Sequence, residues 1–331
     1  MPHPATITVL GDGGWGTTLA IYAHRLGHRV IWWSPFAEYA GVLRRRRDNI
    51  KFLPGIRIPR AIRITASLPE AVGPSSLVVL AIPSQYLRGV VRQLASIDLR
   101  RQRLLSVAKG IEPQTLKRIS EVIRDELGHP RLAVLSGPNI AMEIVQGQPA
   151  SSVVASESLE LARDVQQLLI SDRLRLYTST DVIGVELGGA LKNPIAIAAG
   201  MSDGLGFGSN TKAALITRGV VEMARLGAAL GAQAQTFWGL SGLGDLVTTC
   251  MAGRNHWLGE QLGQGRSLRA VLSSTPMVIE GVETARAAVE LARRQRVELP
   301  IIEQVHAVLF RRRPPRQALR ALMLRSAKPE S

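Results

Sequence analysis

Cysteine is almost absent: Cys250 is the only one in 331 residues. A lone thiol closes no internal disulfide and anchors no zinc site, so neither is a requirement of the fold, and no metal is expected. Lysine is scarce as well, with six residues against 35 arginines. Aromatic side chains make up only 4%, few for a protein that stacks nucleic-acid bases. The opening MPHPATITVL lacks a basic-then-apolar leader, and no apolar run comes near the roughly 18 residues that span a bilayer. The expected compartment is the cytoplasm, with no integral membrane association. Charged residues reach 20% against 46% hydrophobic ones, which excludes a disordered chain. What is abundant is positive charge, +15 overall with a pI near 11.1. Such a balance first suggests polyanionic partners. Yet the cations are scattered through both halves, and the short arginine runs at 44–47 and 311–313 read as solvated faces. The excess reads as a bulk trait that steers small anions, and nucleic acid is not an expected partner.

Two kinds of segment alternate in the first half. Apolar runs rich in Val, Ile and Leu lie at 6–10, 30–33, 77–82, 104–107, 132–135 and 152–155, with helical spacing at 17–26, 85–94, 115–127 and 159–170. That alternation predicts an α/β domain of Rossmann type, a mostly parallel sheet covered on both faces. From Asp181 onward only helical periods remain, at 182–199, 211–230, 257–262, 281–296, 301–310 and 316–324. The expected organisation is a dinucleotide-binding domain over 1–180 and an all-helical substrate domain over 181–331, with Asp181 as a helix N-cap.

The sequence Gly11-Asp12-Gly13-Gly14-Trp15-Gly16 fits G-x-G-x-x-G, between a strand and a helix. In that frame Gly11 makes the tight turn, Gly13 lets the backbone approach a pyrophosphate, and Gly16 allows close helix–strand packing. Free N–H groups of the first helical turn then meet the phosphates. The second strand ends Trp33-Ser34-Pro35 without the acidic residue usual for NAD; Ser34 and the arginines at 44–47 point instead towards a 2′-phosphate and NADP.

Three further segments carry chemistry. Lys109, after the strand at 104–107, lies where an open α/β sheet collects anions, and Ser136-Gly137-Pro138-Asn139 turns at another strand end,. Lys192 stands alone in an apolar helix on the face of Gly188 and Gly189, which leaves room above it,. Such a lysine must snorkel, be paired, or serve chemistry, and burial would lower its pKa towards proton-transfer values. Asp245 lies in a Gly-rich turn, and Gly253-Arg254-Asn255 opens a helix where a guanidinium and free N–H groups can hold a phosphate,.

Taken together, these blocks resemble the bacterial NAD(P)-dependent glycerol-3-phosphate dehydrogenases nearly end to end. The likeness is carried by GDGGWGTTLA, DNIKFLPGIRIP, SVAKGIEPQTL, LSGPNIAMEI, VELGGALKNPIAIAAGMSDGLG, NTKAALITRG, GLSGLGDLVTTC, GRNHWLGEQLGQG and VIEGVETA. The resemblance implies interconversion of dihydroxyacetone phosphate and glycerol 3-phosphate, supplying phospholipid backbones, with NAD or NADP as cofactor. It implies Lys192 as the proton-transfer residue. Lys109, Gly137, Asn139, Asp245, Gly253, Arg254 and Asn255 would line the substrate site. Gly14, Trp15, Pro35, Lys109, Ala141, Arg254, Val278 and Glu280 would join the glycines at the dinucleotide. A homodimer is the family-level expectation. Four positions depart from the family pattern: Pro35 replaces a common Arg or His, which weakens the NADP argument; Asn139 replaces Ser or Thr; Gly253 replaces Ser; and Pro194 replaces an aliphatic residue and should kink its helix. The rival readings are another two-domain hydroxyacid or ketoacid reductase and a basic nucleic-acid-binding protein.

Overall fold

The computed structural model describes residues 4–327 and 329; Lys328 lies outside them. The chain divides into two compact units, Met1–Glu186 and Leu187–Ser331.

In the first unit, strands β1 (Thr6–Leu10), β2 (Arg29–Trp33), β3 (Asp48–Asn49), β4 (Leu53–Arg57), β5 (Arg63–Thr65), β6 (Leu77–Leu80), β7 (Arg103–Ser106), β8 (Arg131–Ser136), β9 (Ala150–Ala155) and β10 (Leu174–Ser179) are interleaved with helices. The helices are α1 (Gly14–Arg25), α2 (Ala37–Arg46), α3 (Leu68–Val72), α4 (Ser84–Leu94), α5 (Ile119–Leu127), α6 (Ala141–Val145) and α7 (Leu159–Leu169). Eight strands form one sheet in the order β10-β9-β8-β7-β6-β1-β2-β5, and β3 pairs with β4 apart from it. All neighbours in the large sheet are parallel except β8 and β9.

Alternate residues of each strand feed different cores. Ile7, Val9, Val30 and Trp32 pack on one face, with side chains of α1 and α7. Leu10, Ile31, Trp33, Val78 and Leu80 pack on the other, with α4 and α5. Burial on both faces is why these strands read as continuous apolar runs. The six expected strands are all present. Strands β5 and β10 escape that reading for physical reasons: β5 is three residues long, and β10 alternates buried Leu174 and Leu176 with exposed Arg175 and Tyr177. Helix α5 starts at Ile119, four residues later than the periodicity suggests, because Leu116 takes a left-handed φ of 63° and Ile111 bridges Arg118.

In the second unit every described element is helical. Helix α8 (Val182–Gly204), within which the two units divide, is followed by α9 (Ser209–Ala229), a 3₁₀ turn (Ala234–Trp238), a π turn (Leu240–Gly244), α10 (Asp245–Met251) and α11 (Arg254–Gly263). Then come α12 (Leu268–Ser273), α13 (Glu280–Gln295), α14 (Pro300–Arg311) and α15 (Pro315–Met323). Asp181 caps α8, its Oδ1 accepting the Gly184 N–H at 2.9 Å. Contrary to the sequence expectation, α8 is long and apolar enough to cross a membrane by length and composition; 94% of its apolar window is buried, as befits a core helix,. It also runs on past Pro194 to Gly204 instead of ending near 199. Glycines set how closely α11 lies on it: a Cβ on Gly200 would fall 1.9 Å from the His256 carbonyl oxygen, and one on Gly259 would fall 2.1 Å from that of Ile197. Side chains there would push α11 away and shift the residues at its start.

Candidate functional site

The glycine turn follows β1 where the sheet reverses its order, with β2 and β5 to one side and β6 to the other. This topological switch point is where open α/β sheets bind ligands. Gly11 has φ 119°, and a Cβ on it would lie 2.3 Å from the Ala81 carbonyl oxygen; a Cβ on Gly16 would lie 2.2 Å from that of Gly11. Around Gly13, by contrast, a Cβ would meet nothing within 4 Å. Gly13 caps α1 with no side-chain hydrogen bond, so the N–H groups of Gly14, Trp15 and Gly16 have no intrahelical acceptor. The turn is closed where the protein packs on itself and open where a phosphate would enter.

Other polar groups gather at neighbouring strand ends. Lys109 Nζ donates to the Gly137 carbonyl at 2.8 Å. Gly137 has φ 151° and sits against Ser152, whose hydroxyl accepts from Asn139 Nδ2 at 2.5 Å. Ser106 Oγ, Ser136 Oγ, Asn139 Oδ1 and Trp15 Nε1 are buried without a partner among the described residues. Buried polar atoms left unpaired are costly unless a ligand or water satisfies them. The first two end β7 and β8, so these donors and acceptors fit a bound dinucleotide and a small polar substrate. Ala141 begins α6, and its carbonyl accepts from Thr18 at 3.0 Å.

The structure weakens the argument for NADP. Ser34 is buried and donates its hydroxyl to Asp12 Oδ2 at 2.5 Å, so that donor is already committed. Burial raises the Asp12 carboxyl above its usual range despite this bond. Arg44, Arg45 and Arg46 are exposed in the last turn of α2, while Arg47 donates to the Ile62 carbonyl at 2.8 Å. Pro35 is exposed.

In the second unit Lys192 is buried. Its Nζ donates to Thr249 Oγ1 at 2.6 Å and lies 3.2 Å from Asp245 Oδ1. Thr249 in turn donates to the Asp245 carbonyl at 2.6 Å. Asp245 opens α10 after the π turn, so it is helical, where the sequence suggested a loose turn. Thr249 was not singled out from the sequence; its place one turn after Asp245 is the signal that marks it. The expected space over Gly188 is absent, because a Cβ there would lie 2.6 Å from the Ser241 carbonyl oxygen.

The next residue, Asn193, holds the start of α11. Its Oδ1 accepts from Asn255 Nδ2 at 2.9 Å, and Asn255 Oδ1 accepts from the Gly281 N–H at 2.9 Å. Asn193 Nδ2 is buried and has no hydrogen-bond partner among the described residues. Asn255 keeps one side-chain N–H and its backbone N–H for a ligand. Gly253 caps α11 at φ 107°, which a serine would adopt only under strain,. The exposed Arg254 donates Nη1 to the Val278 carbonyl at 2.7 Å, and Glu280 starts α13 two residues on. The single thiol takes no part: burial pushes Cys250 up to about 12, too high for a reactive thiolate,.

A glycine turn at the switch point of a doubly wound sheet, followed in the chain by a helical unit with a buried, hydrogen-bonded lysine, marks the class of two-domain nicotinamide-dependent dehydrogenases. Residues 6–162 match the family described as NAD-dependent glycerol-3-phosphate dehydrogenase N-terminus, and residues 181–320 match its C-terminus. The glycerol-3-phosphate dehydrogenase [NAD(P)+] of Fusobacterium nucleatum is 46% identical over 328 residues, 98% of each chain. That of Chlorobium limicola is 46% identical over 98% of this chain and 99% of its own. The crystal structure of glycerol-3-phosphate dehydrogenase from Coxiella burnetii superposes with a TM-score of 0.94 at 34% identity, covering 98% of this chain and 100% of the other. The chain belongs to the NAD-dependent glycerol-3-phosphate dehydrogenase family.

Proposed function

We propose that the protein interconverts dihydroxyacetone phosphate and sn-glycerol 3-phosphate with NAD or NADP. The observation that carries the mechanism is the buried Lys192 ammonium held by Thr249 and Asp245. When bound, the nicotinamide supplies or accepts the hydride. Residues 11–16 and Ala141 would hold the dinucleotide. As the substrate ketone is reduced, negative charge grows on its oxygen. Lys192 Nζ stabilises that charge and gives up a proton there; in the reverse direction the neutral amine takes it back. The Thr249 bond fixes where Nζ points, and Asp245 Oδ1 lies 3.2 Å from it. Arg254 and the free N–H groups at the start of α11 bind the phosphate and so position the carbon skeleton. Lys109, Gly137 and Asn139 are further substrate contacts that the family resemblance implies.

On this reading the protein supplies glycerol 3-phosphate for phospholipid synthesis in the cytoplasm and acts as a homodimer, as its family resemblance suggests. An absorbance assay at 340 nm with dihydroxyacetone phosphate and each reduced cofactor tests it. Oxidation of NADH or NADPH dependent on that ketone is the expected result. Turnover of unphosphorylated keto acids alone would point to the rival reductase class, against which the Arg254 phosphate site argues.

A further inference from the structure

Part of the charge excess that the chemistry leaves unused is gathered between residues 311 and 327. Between residues 311 and 327 the sequence has no acidic side chain. Arg311, Arg312, Arg313, Arg316, Arg320 and Arg325 are all exposed there. Arg325 pairs with Glu298 at 2.7 Å, and Arg313 donates to Gln304 at 2.7 Å. Arg311, Arg312, Arg316 and Arg320 have no acidic partner among the described residues. Their field is felt locally: His306 on α14 is held below its ordinary pKa first by burial and then by Arg311 and Arg286.

Helix α15 is anchored through one face, with Ala318 buried and Leu319 and Leu322 half-buried, while Arg316 and Arg320 stand one turn apart in solvent. At its end lie the two most exposed large apolar residues among those described, Met323 at 76% and Leu324 at 72%. Cations beside exposed aliphatic tips are what an interfacial contact with anionic lipid requires. A nucleic-acid face would instead call for aromatic stacking side chains, and 311–327 contains none.

We propose that Arg311–Arg313, α15 and its Met323-Leu324 tip form a peripheral docking surface for an anionic phospholipid bilayer. The arginines meet the headgroups, and the two aliphatic side chains enter the boundary beneath them. The attraction is electrostatic in the main, so it weakens as salt rises. This surface uses none of the residues assigned to the reaction, and it stands whether or not the substrate assignment does.

Co-sedimentation of the full chain with phosphatidylglycerol–phosphatidylcholine vesicles, against pure phosphatidylcholine, tests it at about 0.1 M and about 0.5 M salt. Binding should appear only on the anionic vesicles and fade at high salt. The pair Arg316→Glu/Arg320→Glu should weaken it by about thirtyfold or more, and Met323→Ser/Leu324→Ser by about tenfold. The charge-matched pair Arg101→Glu/Arg163→Glu, on exposed arginines elsewhere, should leave it nearly intact. Arg316→Gln/Arg320→Gln replaces the reversal should that variant fail to fold. Three results would overturn the proposal: no binding to anionic vesicles, equal loss in the charge-matched control, or tighter retention on a DNA duplex that ignores Met323→Ser/Leu324→Ser.

Discussion

The turn at residues 11–16 and the cluster around Lys192 are both made for negative charge, but they are built from different material. The turn is almost all backbone: its donors are N–H groups at the start of α1, and its glycines remove side chains from the approach. The lysine cluster is all side chain: an ammonium, a hydroxyl and a carboxylate from α8 and α10, drawn together across 57 residues of sequence. A backbone site is complete within one βα unit and depends on shape. A side-chain site depends on the packing of several helices and on exact chemistry at each position. The two should therefore fail in different ways.

Lys192→Ala should produce the largest effect, a fall in kcat of about 10²–10⁴-fold with the dissociation constant for NADH nearly unchanged. Near wild-type turnover would sink the assignment of the proton to Lys192. Thr249→Val keeps the shape and removes the hydroxyl that accepts from Nζ. A hydrogen bond to a charged group is worth about 1.5–3 kcal/mol, so kcat should drop by about 10–100-fold, again with cofactor binding preserved. Equal loss of cofactor binding in either variant would erase the distinction between the two regions.

The turn can be broken in two separable ways. A Cβ on Gly16 falls 2.2 Å from the Gly11 carbonyl oxygen, so Gly16→Ala should cost about 3 kcal/mol in denaturant unfolding and weaken NADH binding with it. Gly13 has φ −68° and open space around it, so Gly13→Ala should leave stability within about 0.5 kcal/mol of wild type. Its methyl group would nonetheless occupy the phosphate approach, raising the NADH dissociation constant about tenfold, as fluorescence titration can measure. Unchanged NADH affinity in Gly13→Ala would show that the phosphates do not lie over this turn.

The same contrast explains what could be read in advance. Six strands and the glycine turn were legible because both-face burial writes apolar runs and a phosphate turn writes glycines at fixed spacing. Lys192 and Asp245 stood out as charges among apolar neighbours. Thr249 did not, since a threonine in a helix has many uses and only the fold brings it to Nζ. Asn193 was hidden in the same way: its tie to Asn255 depends on how closely α11 lies on α8, which Gly200 and Gly259 permit but no local spacing announces. Ser34 was legible in type and misleading in role, because Asp12, 22 residues earlier, already takes its hydroxyl.

The start of helix α14 sharpens the comparison by a smaller effect. Where α1 leaves its first N–H groups without a side-chain cap, α14 has its own internal acceptor: buried Glu222 of α9 accepts from the Ile301 and Ile302 N–H groups at 2.7 and 3.2 Å. Burial, only partly offset by these two bonds, pushes the Glu222 carboxyl up to about 7. Its folded-state pKa thus lies above the unfolded one. The stability it contributes is full below about pH 4.5 and is lost as pH rises through about 7, a change on the order of 3 kcal/mol. Glu222→Gln, neutral throughout, should flatten that slope, so urea midpoints at pH 5.5 and pH 8 should differ less than in wild type. A slope that survives the substitution would assign it to other groups. If it disappears, the carboxyl at α14 is shown to take up its charge at a desolvation cost as pH rises through about 7, whereas an anion delivered to α1 by a ligand imposes such a cost only while bound.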